Sequence, residues 1–119
     1  MDESILNSVK ELIGITKDYE AFDSILIMHI NSVFMILTQM GVGPADGFSI
    51  KDKTAKWADF ISEDEKLEGV KSYVALKVKI LFDPPIGASV LDCTNKMIQE
   101  LEWRLYSESD IVRGGETNE

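Results

Sequence analysis

Residues 22–40 read FDSILIMHINSVFMILTQM and are followed at once by Gly41. Phe22, Ile25, Leu26, Val33, Ile36, Leu37 and Met40 recur at the spacing of one helical face. Gly41 stands where a helix can close in the left-handed region. The stretch predicts a helix that starts near Asp18 and ends at Met40. Ile27, Ile30, Phe34 and Met35 make that helix apolar almost all round. Such a helix is central to a core or carries a second face for a partner. Its most apolar part, residues 25–37, is interrupted by His29, Asn31 and Ser32 and falls short of a membrane span.

Toward the N-terminus, Ser4 can cap a first helix over about residues 4–13, with Ile5, Val9, Leu12 and Ile13 on one face. Gly14 ends it. Toward the C-terminus, Gly41, Gly43, Pro44 and Gly47 exclude regular structure, and the irregular connection extends to about Ser62. Within it, Phe48-Ser49-Ile50 reads as a short extended piece, and Trp57, Phe60 and Ile61 as a helical turn packed back on the core. Residues 41–56 offer few apolar anchors, so this part is expected to be mobile until a partner covers it.

Ser62 and Glu65 form a capping box, and Glu63 and Asp64 suit the positive end of the helix dipole. A third helix follows to about Phe82, stopped by Pro84 and Pro85. Leu67, Val70, Val74, Val78 and Leu81 make one stripe along it; Tyr73, Leu76 and Ile80 make a second. A fourth helix is predicted from near Ser89 to about Tyr106. Its core face is Val90, Met97, Ile98, Leu101 and Leu105, with Trp103 on the far side beside Lys96 and Gln99. From Ser107 the chain turns polar. The expectation is an all-α fold: a small bundle of about four helices over residues 1–106, a long irregular connection between helices two and three, and a flexible tail at 107–119.

The totals agree with one globular domain. Of 119 residues, 45% are hydrophobic and 28% charged. Cys93 is alone, so no internal disulfide can form. The start, Met1-Asp2-Glu3-Ser4, lacks the basic residues of a signal peptide, which leads to an expectation of cytoplasmic synthesis and no membrane. The net charge of −9, from 21 acids and 12 bases, argues against a surface that grips nucleic acid. It does not exclude DNA passing nearby, because an acidic wall repels a phosphate backbone and lets it slide.

Chemistry is sparse. His29 is the sole histidine, and its helical neighbours Ile25, Leu26, Ser32 and Val33 include no strong ligand or nucleophile partner. A structural histidine is expected. Cys93 is expected to be a small core residue. The run Gly41-Val42-Gly43-Pro44-Ala45-Asp46-Gly47 follows a helix and lacks the Lys-Ser/Thr ending, so it is a helix cap and turn rather than a phosphate loop. Glu100 and Glu102 point in different directions on a helix, and Lys71, Lys77 and Lys79 scatter around another. The sequence therefore predicts no catalytic residue, metal ligand or cofactor. Trp103 is the exception to a bland surface. Lying opposite a core face, it is either covered by the tail or connection or meets another chain. With Tyr73, Leu76 and Ile80 it makes up the candidate protein interface.

Several runs carry a resemblance: Ile30-Asn31-Ser32-Val33-Phe34, Gln39-Met40-Gly41-Val42-Gly43-Pro44, and Trp57-Ala58-Asp59-Phe60. Val70-Lys71-Ser72-Tyr73, Leu81-Phe82-Asp83-Pro84-Pro85 and Glu100-Leu101-Glu102-Trp103-Arg104-Leu105 continue it. Together they resemble the small head-tail connector (adaptor) proteins of tailed phages and prophages of Gram-positive bacteria, over residues 4–106 and in the same order. The resemblance implies a structural virion protein and not an enzyme. It implies a homo-oligomeric ring, a dodecamer in the virion whose subunit can stay monomeric in isolation, seated beneath the portal protein. It further implies contact with a stopper or tail-completion protein, and DNA passing through the channel without sequence-specific binding. The implied location is the head-tail interface, after assembly in the host cytoplasm. The alternative from another class is a small helical prophage or host interaction module or regulator.

Overall fold

The structure, a computed structural model, describes residues 3–62 and 64–117. Five α-helices run through them: α1 (Ile5–Leu12), α2 (Asp23–Gln39), α3 (Trp57–Phe60), α4 (Asp64–Phe82) and α5 (Ala88–Thr117). The small all-α bundle is therefore as the hydrophobic periodicity predicted, with the helical turn at Trp57 appearing as a helix of its own.

α2 is central. Leu26, Ile30, Val33, Phe34 and Leu37 are buried along it, while Phe22 and Ile25 are exposed. The core face is thus turned toward Ile30 and Phe34, because the connection after α2 folds back over that side. Its C-terminus closes as the sequence predicted. Gly41 takes φ +85°, its N–H reaches the Thr38 carbonyl at 3.0 Å, and the Val42 N–H reaches the Leu37 carbonyl at 2.9 Å. This is the paired closure that a glycine in the left-handed region permits.

The N-terminus of α2 differs from the expectation. The helix begins at Asp23, not near Asp18. Lys10, on α1, explains why. Its ammonium donates to the carbonyls of Lys17 (3.0 Å) and Tyr19 (2.6 Å) and to the Asp23 carboxylate (2.8 Å). An α-helix through residues 17–23 would need those carbonyls for its own N–H groups. The cation claims them instead, and the segment is held in turns.

α4 packs on α2, α1 and α5. Leu67, Val70, Val74 and Val78 are buried as expected, whereas Leu81 is exposed near the end of the helix. The Phe22 and Phe82 ring centroids lie 5.1 Å apart, which sets the start of α2 beside the end of α4. The two helices are antiparallel. The Tyr73 hydroxyl donates to Glu102 at 2.7 Å, and a Cβ on Gly69 would lie 3.9 Å from Leu105, so α5 returns antiparallel along α4. The capping box expected at Ser62–Glu65 runs through Glu63, which lies outside the described residues.

Two helical faces are rotated from their predicted phase. On α1 the buried apolar residues are Ile5, Leu6 and Val9, and Leu12 is exposed. On α5 the inward side is Leu91, Thr94, Ile98, Leu101 and Leu105, whereas Val90, Met97 and Cys93 face solvent. Thr94 obscured that stripe in the sequence, and Cys93 is not the core residue expected. α5 also continues past Tyr106, through Gly114 and Gly115, to Thr117.

The connection of residues 41–56 is irregular but better anchored than its composition suggested. Val42 and Ile50 are buried, and the Phe48 ring lies 5.1 Å from Phe34 and 5.2 Å from Phe60. Asn31 of α2 pins Ile50 from both sides: its amide donates to the Ile50 carbonyl (3.0 Å) and its carbonyl accepts from the Ile50 N–H (2.7 Å). One side chain here replaces the strand partner that an extended Phe48-Ser49-Ile50 would require, and no strand forms there. Farther along, Ile5 N–H bonds to Ala55 O at 2.9 Å and Trp57 N–H to Glu3 O at 3.2 Å. The buried Trp57 indole donates to the Ser8 hydroxyl at 3.1 Å, so α3 is sewn to α1.

Candidate interaction surface

The four residues singled out for an interface fall in different environments. Tyr73 has no exposed surface and belongs to the core between α4 and α5. Burial, then the hydrogen bond to Glu102 and the charge of that carboxylate, push its phenol well above the ordinary 10.0. Glu102 is also 3.7 Å from Lys77, so it is tied inward rather than freely solvated. In the free chain Tyr73 is therefore a core residue, and a partner could reach it only by opening this contact. Leu76 and Ile80 are half-buried against the core. Trp103 is 69% exposed, on the side of α5 away from α4, with exposed Tyr106 one turn on.

Leu76 leads to a feature the sequence did not signal. α1 and α5 both pack near α4 and leave a groove of about 840 Å³ with α4 as its floor. Ala75 and Leu76 supply apolar floor. Leu12 stands on the α1 wall, and Met97 and Leu101 on the α5 wall. Leu12 is 57% exposed and Met97 51%. Periodicity assigns both to the core, because it identifies an apolar face without saying whether the chain itself covers it.

The groove rim is charged. Lys71 lies 3.4 Å from Glu3, and this hydrogen bond and attraction hold the Glu3 carboxyl below its usual range. Arg104 lies 2.8 Å from Glu100 one turn away. Glu11 and Glu68 complete the rim and form no ion pair among the described residues. A second apolar patch sits at another end of the bundle. There Tyr19, Phe22 and Phe82 meet in tilted and edge-on pairs at centroid distances of 5.4 and 5.1 Å, and Leu81 and Ile86, close to Phe82 in the chain, are exposed.

Reactive groups do not converge. His29 is half-buried and Cys93 exposed, and no group of three metal-ligating side chains occurs among the described residues. No described helix is long and apolar enough to cross a membrane. Separate apolar patches on a small helical body define a class of protein whose surface is suited to assembly with other chains.

The chain belongs to the phage connector protein family, whose model matches residues 5–111. The match opens on the first residue of α1 and ends within α5, so it takes in the whole bundle. No curated protein and no solved structure matches the chain. The family is a structural one, and membership makes this chain a connector-type structural protein of a phage virion.

Proposed function

We propose that the chain is a head-tail connector (adaptor) subunit, joining copies of itself into a ring beneath the portal and extending the DNA channel toward a stopper or tail-completion protein. The observation that carries this reading is the family match across the entire bundle. Surface layout supports it. A ring subunit needs two unlike faces that meet head to tail, and the Trp103–Tyr106 side of α5 is separate from the Tyr19–Phe22–Phe82 end. The net charge of −9 is compatible with DNA sliding past without being gripped. Leu76, Ile80 and Trp103 remain the proposed contact residues, and residues 107–119 a proposed docking element for the portal. No cofactor, metal or catalytic residue enters this role.

The test is to incubate the purified chain with the portal oligomer of the same phage and separate the products by sedimentation. The reading expects a stable complex in which copies of this chain match the portal in number. A chain that never joins the portal, and instead pairs with a single regulatory protein, would overturn it.

A further inference from the structure

The groove between α1 and α5 has a shape, a lining and a charge that together specify what can fill it. Its volume of about 840 Å³ lies toward the upper end of the range for ligand pockets, roughly 300–1,000 Å³. Its sides are three helices, each presenting residues one turn apart: Ser8 and Leu12, Ser72 and Leu76, Met97 and Leu101. Walls with that repeat receive the side chains of another helix, spaced at i, i+3 or i+4, and i+7.

Charge narrows the occupant further. The two rim cations are already engaged by Glu3 and Glu100, which leaves Glu11 and Glu68 as the rim's uncompensated charges. A partner with Lys or Arg beside its apolar stripe gains attraction there, and an acidic one is repelled. A second copy of this chain is poorly suited, since each copy has a net charge of −9. Its C-terminal residues 107–119 contain Glu108, Asp110, Glu116 and Glu119 against Arg113 alone, so the tail would set acids against acids.

We propose that this groove binds a basic amphipathic helix from a different protein, with apolar residues seated over Leu12, Leu76 and Met97 and cations beside Glu11 and Glu68. The inference rests on the connector reading only in expecting that protein among the virion components.

The probe is a pair of dye-labelled synthetic peptides of about five helical turns, roughly 18 residues. Both carry leucines at helical spacing; one has lysines at the flanking positions and the other glutamates. Titrated with the full chain and followed by fluorescence anisotropy, the lysine peptide should bind at least ten-fold more tightly than the glutamate peptide. Met97→Glu and, separately, Leu12→Glu should each weaken it ten-fold or more. Both sites are exposed, and unchanged melting by circular dichroism checks that each variant folds. Glu11→Lys combined with Glu68→Lys should reverse the preference, whereas Val90→Glu, at an exposed site outside the groove, should change nothing. Equal binding of both peptides, no binding of either, or an equal loss from Val90→Glu would overturn the proposal. So would self-association of the chain that Met97→Glu abolishes, which would make a second copy the occupant. Portal association measured in parallel separates the two ideas. A chain that joins the portal but shows no peptide preference loses the groove proposal alone. One that shows the preference but never joins the portal loses the connector reading alone.

Discussion

Replacing Lys10 with methionine should destabilise the bundle more than any other lysine substitution. Lys10 has no exposed surface, and its ammonium uses its three donors on Lys17 O, Tyr19 O and Asp23 Oδ1 at 3.0, 2.6 and 2.8 Å. Methionine preserves most of the packed stem, so the loss is chiefly electrostatic. Breaking a fully buried pair by removing one member costs about 3–5 kcal/mol. Here the Asp23 side chain is 25% exposed and the turn carrying Lys17 and Tyr19 faces solvent. Water can therefore replace part of what the cation supplied, and a cost of about 2–3 kcal/mol is expected. That is a large share of the roughly 6–18 kcal/mol typical of a domain this size. Urea denaturation followed by circular dichroism measures it. Lys79→Met is the control, because Lys79 is 38% exposed and bonds Asp83 one turn away at 2.9 Å; about 0.5 kcal/mol or less should be lost there. Faster amide exchange in residues 14–22 should accompany the Lys10 change, since the ammonium holds that turn. If Lys10→Met lies within about 0.5 kcal/mol of the parent, or matches Lys79→Met, the cation is not the clasp described.

Gly43→Ala should cost about 2–3 kcal/mol by thermal or urea unfolding, from a positive φ of +85° and a Cβ that would overlap the Phe60 ring. Gly47→Ala, at φ +94° in open space, should lose only about 1 kcal/mol, and equal losses would refute the clash. Tyr73→Phe tests the raised phenol: between pH 10.0 and the higher folded value the unfolded chain gives up a proton that the fold keeps. The parent should therefore be stable below pH 10 and lose up to about 1.4 kcal/mol per pH unit above it from this group. The variant should show a flatter alkaline limb, and parallel limbs would refute the assignment. Trp103→Ala should leave unfolding unchanged within about 0.5 kcal/mol, because the side chain is 69% exposed, while weakening ring or portal binding. Outright unfolding would make the tryptophan a core residue.

The elements that local chemistry dictates were legible in the sequence. Ser4 caps α1 by accepting from the Asn7 N–H at 3.2 Å, Gly14 and Gly41 follow their helices, and α4 ends at Phe82 just before Pro84 and Pro85. That Trp103 stands off the core face was also legible, since it lies opposite Ile98 and Leu105 on one helix, but its exposure was not, because a covering segment fitted the sequence equally well. What escaped depends on contacts distant in the chain. Nothing near Lys10 marks it as buried, because its acceptors lie on a turn 7–13 residues away, and lysine is rarely fully buried. Asn31 likewise looked like an interruption in an apolar run, yet it holds Ile50 nineteen residues on. The groove could not be anticipated for a related reason. Leu12 and Met97 satisfy helical periodicity as well as any core residue, and only the separation of α1 from α5 leaves them open. Tyr73 shows the converse: it shares a stripe with Leu76 and Ile80, but Glu102 on α5 draws it inward.

Imaging the neck of the virion by electron cryomicroscopy decides whether this chain is a connector subunit. A connector subunit should give a ring of density directly beneath the portal into which the bundle of α1 to α5 fits, repeated with the portal's symmetry and absent from particles made without this chain. Particles that lack the chain yet retain the whole neck and join their tails normally would contradict it.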